Sequence, residues 1–171
     1  MVRLFIGIML PESLRDQIIL LQNKIKYLLE GKLVEKENLH ISLSFLGEVD
    51  QNKIASVGAM LDHICSKHEK LQVKLGGLKF IPSLEFLRVV AVEVIGFALK
   101  KISEDIRDGI GGDVKPPHLT LCRVRKVIDK EKLIAVSSDG TEFLVDKISL
   151  IRSELSGSGP KYTVVHNSGL R

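Results

Sequence analysis

Runs of apolar residues separated by glycine and proline predict alternating strands and helices in the first half of the chain. Val2–Met9 is a short apolar run typical of a buried strand, and Pro11 suits the first turn of a helix. A helical stripe then runs up to Gly31, which favours a helix stop, and its members are Leu14, Ile18, Leu21, Ile25 and Leu28. A strand over 39–46, a helix after Asp50 and a strand over 71–80 complete this half.

The second half of the chain repeats the same order. Residues 86–95 are rich in valine and predict a strand, and a helical stripe of Leu99, Ile102, Ile106 and Ile110 then ends at Gly111 and Gly112. Residues 118–124 predict the next strand, and the tail adds a short helix over 129–136 and strands over 142–152 and 161–167. The repeated order indicates an internal duplication with two similar lobes. Because no low-complexity linker divides the lobes, we expect one domain over 1–171.

The two predicted central strands carry the same short motif. The first copy is His40-Ile41-Ser42-Leu43, and the second is His118-Leu119-Thr120-Leu121, 78 positions further on (118 minus 40). Residues i and i+2 of a strand point to the same face. Each motif therefore places one imidazole and one hydroxyl on one face, and its aliphatic residues on the other. Two such strands facing each other would surround one cleft with two histidines and two hydroxyls.

This set of side chains suits acid–base cleavage of a phosphodiester. One group must take a proton from the attacking nucleophile, and another must give a proton to the leaving oxygen. Histidine can do both near neutral pH, because its ordinary pKa lies near 6.5. The hydroxyls of Ser42 and Thr120 can donate hydrogen bonds to the phosphate oxygens. No metal-ligand cluster is evident in the sequence, so we expect a reaction without metal or cofactor. A single motif of this kind on its own is a weak signal, and the prediction depends on the pair.

The composition narrows the class of protein only modestly. The chain of 171 residues is 44% hydrophobic and 27% charged, which is ordinary for a globular protein, and its net charge of +4 permits a polyanionic partner. Only 5% of residues are aromatic, which disfavours extended base stacking as the main binding mode. Cys65 and Cys122 are too few for a disulfide scaffold or a zinc site. The start of the chain lacks the features of a signal peptide and no stretch is long enough for a membrane span, so we expect a cytoplasmic protein.

The residues around the motifs resemble those of a known family. The resemblance covers nearly the whole chain and includes the opening Arg3-Leu4-Phe5-Ile6, the stretch 37–49 around the first motif, and Pro117-His118-Leu119-Thr120-Leu121-Cys122-Arg123. Ser153-Glu154-Leu155 and Gly159-Pro160-Lys161-Tyr162 match as well. The chain resembles the two-histidine phosphoesterases, and specifically the RNA 2′,3′-cyclic phosphodiesterases once named 2′-5′ RNA ligases. It departs from the family pattern at Ser42, where threonine is usual.

The resemblance implies an α+β fold of two pseudo-symmetric lobes, with antiparallel sheets lining a central cleft and helices outside. It also implies hydrolysis of 2′,3′-cyclic phosphate ends of RNA to 2′-phosphates. In that scheme His40 is the proton donor to the leaving 3′ oxygen, His118 is the proton acceptor from water, and Ser42 and Thr120 hold the phosphate. Further candidates for substrate binding are Arg123, Lys161 and Tyr162. Strand alternation, however, predicts that Arg123 faces away from His118 and Thr120.

Other readings of the same residues remain open. The same site run in reverse would join RNA ends as a 2′-5′ ligase. A cleft that lost turnover would leave a non-catalytic RNA- or nucleotide-binding module, although the intact motifs favour an enzyme. An unrelated structural α+β protein would require both motifs and their flanks to coincide by chance. The substrate could be transfer RNA fragments, oligonucleotides with cyclic ends or small cyclic nucleotides, and we expect a monomer.

Overall fold

Strands make up the larger share of the regular secondary structure. The computed structural model describes residues 1–138 and 140–171. In these residues the strands are β1 (Val2–Met9), β2 (Leu29–Leu33), β3 (His40–Val49), β4 (Leu71–Ile81), β5 (Val89–Ile95), β6 (His118–Val127), β7 (Glu142–Val145), β8 (Lys147–Ser156) and β9 (Gly159–Gly169). The helices are α1 (Glu12–Ile25), α2 (Ile54–Cys65), α3 (Phe97–Gly109) and α4 (Lys130–Ala135).

All nine described strands join one curved antiparallel sheet. Its order is β7-β4-β5-β6-β3-β1-β8-β9, and β2 pairs with β6 beside this path. The two halves of the sheet meet where β3 pairs with β6 over only two residue pairs. This short seam brings the two motif strands together. The sheet and its helices confirm the predicted α+β fold of this class.

Two of the helices cross from one half of the sheet to the other. Helix α1 follows β1 but packs on β6, and α3 follows β5 but contacts β3. The apolar stripe of α1 is buried as its spacing predicts, with Leu14, Ile18, Leu21 and Ile25 all in the core. Because each half of the sheet is covered partly by a helix from the other, the two halves share one core.

The structure corrects the prediction that Gly31 ends the first helix. The helix ends at Ile25, and Gly31 lies in β2, a strand that the sequence did not predict. A Cβ atom at this position would overlap the carbonyl oxygen of Arg123 on β6 and lie 3.1 Å from Sγ of Cys122. Gly31 is therefore required by the close approach of two strands. The predicted strand over 142–152 is also divided, because β7 and β8 are separate strands that do not pair with each other in the sheet.

Candidate active site

The two motifs meet at the centre of the sheet in a symmetrical register. Ile41 pairs with Leu119, and Ser42 pairs with His118. The two residues of the first pair are also 78 positions apart, so this pair is the point about which the motifs are related by a pseudo-twofold axis. Ile41 and Leu119 are fully buried on the helix-covered face. The opposite face presents the four polar motif side chains to one cleft: His40, Ser42, His118 and Thr120.

A β-bulge lies at the last residue of each motif. In β3, Leu43 has no partner on β1, because Ser42 pairs with Gly7 and Ser44 with Ile6. In β6, Leu121 is skipped in the pairing with β5 in the same way. An extra residue in a strand reverses the alternation of faces after it.

The bulges redirect two side chains into the cleft. Phe45 and Arg123, the pseudo-symmetric residues that follow the bulges, both line the same cleft as the histidines. The prediction that Arg123 faces away from His118 and Thr120 is therefore wrong, because it assumed an unbroken alternation. Phe45, which an unbroken alternation would also turn away from the cleft, is 42% exposed.

Backbone carbonyls fix the orientation of both imidazole rings. Nδ1 of His40 donates to the carbonyl oxygen of Asn38 at 2.7 Å, and Nδ1 of His118 donates to the carbonyl oxygen of Pro116 at 3.0 Å. A carbonyl oxygen can only accept, so Nδ1 carries the proton in each neutral ring. Nε2 of each ring is then available for proton transfer, and Nε2 of His40 lies 3.0 Å from Oγ of Ser42.

The two histidines have different surroundings. The ring of His40 packs against Phe5 and Tyr162, with centroid separations of 4.8 and 5.2 Å. Burial lowers the pKa of His40, the positive charges of His118 and Arg123 lower it further, and the bond to Asn38 only partly opposes them. His40 is therefore held towards its neutral form in the free protein. The ring of His118 has no aromatic neighbour of this kind among the described residues.

The phenol of Tyr162 is a neutral group at the edge of the cleft. Burial raises the pKa of Tyr162, and the nearby charge of Arg123 offsets only part of that effect. Asn38 ties this part of β9 to the first motif, because its side-chain amide donates to the carbonyl oxygen of Pro160 at 2.8 Å. The hydroxyl of Tyr162 is thus held at the cleft in the protonated form that can donate a hydrogen bond.

The cleft has a volume of ≈ 510 Å³, within the range of small-ligand sites. Of the predicted residues, it is lined by His40, Ser42, His118, Thr120, Arg123 and Tyr162. Lys161 is not among the lining residues; it precedes Tyr162 on β9 and pairs with Glu154. Alternation along the strand therefore directs it away from the cleft.

Several lining residues were not predicted from the sequence. Lys32 and Glu35 reach the cleft from β2 and the segment after it, and their ion pair measures 3.1 Å. Arg88 reaches the cleft from the residue before β5. Recognition of β2 as a strand would have been needed to find the first two. No group of three or more His, Cys, Asp or Glu side chains placed to hold a metal occurs in residues 1–138 and 140–171.

Comparison with known proteins agrees with this geometry. Residues 8–91 match the family model described as LigT-like phosphoesterase. The chain is 33% identical over 175 residues to an RNA 2′,3′-cyclic phosphodiesterase of Methanocaldococcus jannaschii, covering 95% of this chain and 98% of the relative. Its fold is similar to that of the protein TT0787 of Thermus thermophilus, with a TM-score of 0.85, 26% identity, and coverage of 99% and 98% of the two chains. For E. coli LigT in apo form the TM-score is 0.80, with 25% identity and coverage of 99% and 97%.

Fold and paired motifs together define a phosphoesterase of the two-histidine class. The near full-length similarity to the Methanocaldococcus relative extends beyond the residues matched by the family model. The chain belongs to the LigT-like phosphoesterase family. Within the part of the chain that the structure describes, no helix is long and apolar enough to span a membrane.

Proposed function

We propose that this protein hydrolyses 2′,3′-cyclic phosphate ends of RNA to 2′-phosphomonoesters. The observation that carries the proposal is the pair of histidines that are both anchored through Nδ1 and that line one cleft together with two hydroxyls. The similar proteins, including the one from Methanocaldococcus jannaschii, are named RNA 2′,3′-cyclic phosphodiesterases. Hydrolysis uses the proton donor and acceptor that such a pair supplies.

In the proposed mechanism His118 and His40 act on opposite sides of the phosphorus atom. Nε2 of His118 takes a proton from water, and the water oxygen forms a new bond to phosphorus. The bond from phosphorus to the 3′ oxygen breaks, and Nε2 of His40 gives its proton to that oxygen. The products are a 3′ hydroxyl and a 2′-phosphate. Ser42 and Thr120 donate hydrogen bonds to the phosphate oxygens, where negative charge grows in the transition state.

The lowered pKa of His40 opposes its role as the proton donor. A proton donor must be charged before the reaction, yet burial favours neutral His40 in the free protein. The negative charge of the bound diester offsets the effect of burial on His40, because a negative charge near an imidazole raises its pKa. Substrate binding and protonation of His40 are therefore coupled.

Arg123 and Tyr162 complete the proposed site. The guanidinium of Arg123 suits bidentate contact with phosphate oxygens. Tyr162 keeps water from one side of the His40 ring, at a centroid distance of 5.2 Å. Its neutral hydroxyl remains a hydrogen-bond donor.

Hydrolysis is favoured over the alternatives. Ligation by the reverse route needs two RNA ends in the cleft, and the relatives are phosphodiesterases by name. A non-catalytic binding module would not need both histidines and both hydroxyls. Within the substrate class we propose RNA fragments, such as cleaved transfer RNA, ahead of small cyclic nucleotides. The monomeric state and cytoplasmic location stay predictions from the sequence.

The test is hydrolysis of a short RNA ending in a 2′,3′-cyclic phosphate, in EDTA. His40→Ala and His118→Ala are compared with wild type and with His63→Ala, an exposed histidine of α2. We expect wild type and His63→Ala to form the 2′-phosphate, and each motif variant to lose at least about 100-fold in kcat. Turnover that persists in either motif variant would contradict the paired mechanism. Binding without turnover by wild type would favour the binding module.

A further inference from the structure

One wall of the cleft carries two guanidinium groups without carboxylate partners. Arg88 and Arg123 both line the cleft, and neither forms an ion pair with any other described residue. Lys32, the third cation of the lining, is 3.1 Å from Glu35. The uncompensated positive charge of the cleft therefore belongs to the two arginines, apart from any charge on the histidines.

Both arginines lie some distance along the strands from His118, and Arg88 is the farther of the two. Glu93 of β5 pairs with His118, and Val89 pairs with Arg123. Four residues of strand thus separate the His118 position from the Arg123 position, a distance of about 13 Å along the strand. Arg88 precedes Val89 and is one residue further along. The charge of Arg123 nevertheless lowers the pKa of His40.

Arg88 lines the same cleft, but its position lies roughly 16 Å along the strand from the position of His118. A single phosphate held between the histidines therefore leaves Arg88 without an anion. A second phosphate in the same ligand would supply one. In an RNA chain the terminal nucleotide carries such a phosphate on its 5′ oxygen, whereas a cyclic mononucleotide has none.

We infer that Arg88 binds the phosphate that joins the terminal nucleotide to its 5′ neighbour, and so makes the enzyme select RNA chains over cyclic mononucleotides. This inference rests on the proposed function and names its substrate class. Guanidinium is suited to the role because it presents paired donors to phosphate oxygens and stays charged at all relevant pH values. The cleft also offers Phe45 and Tyr162 to the terminal nucleoside.

The experiment compares two values of kcat/KM. One is for 2′,3′-cyclic AMP, and the other is for the 3′-5′-linked RNA dinucleotide of two adenosines that ends in a 2′,3′-cyclic phosphate. Wild type is expected to prefer the dinucleotide by at least about tenfold, the size of one charge-assisted hydrogen bond. Arg88→Gln should reduce this preference ratio by about tenfold, and Arg88→Lys should retain part of it. Arg107→Gln removes an exposed arginine of α3, away from the cleft, and should keep the wild-type ratio.

Salt dependence provides a second measurement. For a single-stranded RNA of about ten nucleotides that ends in the cyclic phosphate, loss of one phosphate contact should reduce the slope of log KM against log salt by about 0.7. An unchanged preference ratio in Arg88→Gln, or equal losses on both substrates, would overturn the inference while leaving hydrolysis itself established. Failure of wild type to hydrolyse either substrate would instead overturn the proposed function, and the inference with it.

Discussion

Replacement of Gly31 by alanine tests whether the close approach of β2 to β6 positions Arg123 in the cleft. The added Cβ would overlap the carbonyl oxygen of Arg123 and lie 3.1 Å from its carbonyl carbon and from Sγ of Cys122. Two of these three contacts are with backbone atoms, so rotation of a side chain cannot relieve them. The backbone at Gly31 is not in the left-handed region. The cost of the substitution therefore comes from space alone.

The expected magnitude follows from the cost of overpacking. Forcing two packed strands apart costs about 1–3 kcal/mol, and each kcal/mol lowers Tm by about 2–4 °C in a chain of this size. We expect Gly31→Ala to unfold roughly 2–12 °C below wild type. Thermal unfolding followed by circular dichroism measures this shift. The displaced Arg123 should also raise KM for the cyclic-ended RNA more than it lowers kcat, because β2 pairs with β6 only over residues 122–127, beyond His118.

Gly77→Ala is the matched control. Gly77 also lies in a strand and has no left-handed backbone, and no atom of the described residues lies within 4 Å of the place where a Cβ would stand. Its Tm should change by no more than the equivalent of about 0.5 kcal/mol. If Gly31→Ala melts with wild type, or if both variants lose the same stability, the reasoning from strand separation is refuted.

Four further predictions concern the surroundings of His40. Asn38→Ala leaves the carbonyl of Pro160 without its donor and should cost about 1–3 kcal/mol in urea unfolding; unchanged stability would contradict this. Tyr162→Ala admits water to the His40 ring and should raise its pKa in an NMR titration, whereas Tyr162→Phe should not. Because folding lowers the pKa of His40, the unfolded chain binds more protons below pH 6.5 and wild-type stability falls there as pH falls; His40→Gln should reduce that slope. In the pH profiles, the pKa assigned to His40 should be higher for kcat, which reports the substrate complex, than for kcat/KM, which reports the free enzyme, because the negative charge of the substrate favours protonated His40. Equal pKa values in the two profiles would refute the coupling.

The regular elements could be predicted because their burial patterns are local. Val2–Met9 has the predicted bounds, and the stripe from Leu14 to Ile25 is buried as its spacing indicates. The four motif side chains share one cleft because alternation holds over three residues of an undisturbed strand. Strand β2 was missed because only its ends, Leu29 and Leu33, are apolar, and its middle residues are exposed.

The bulges mark the limit of what alternation predicts. An extra residue at Leu43 or Leu121 has no signature in the sequence, since both are ordinary buried leucines. Each nevertheless reverses the face of the residues after it, and so decides that Phe45 and Arg123 enter the cleft. Contacts between distant segments were equally out of reach, such as the hydrogen bond from Asn38 to Pro160.

The pseudo-twofold axis explains why the two histidines cannot be distinguished by their strands. His40 and His118 share the same register, the same following bulge and the same carbonyl anchor two residues earlier. The walls of the cleft break this symmetry, because Phe5 and Tyr162 pack against the ring of His40, whereas no aromatic ring of the described residues packs against His118. Their packing makes protonation of His40 depend on a negative charge in the cleft. In the proposed mechanism, binding of the anionic diester therefore selects which member of a symmetrical pair becomes the acid.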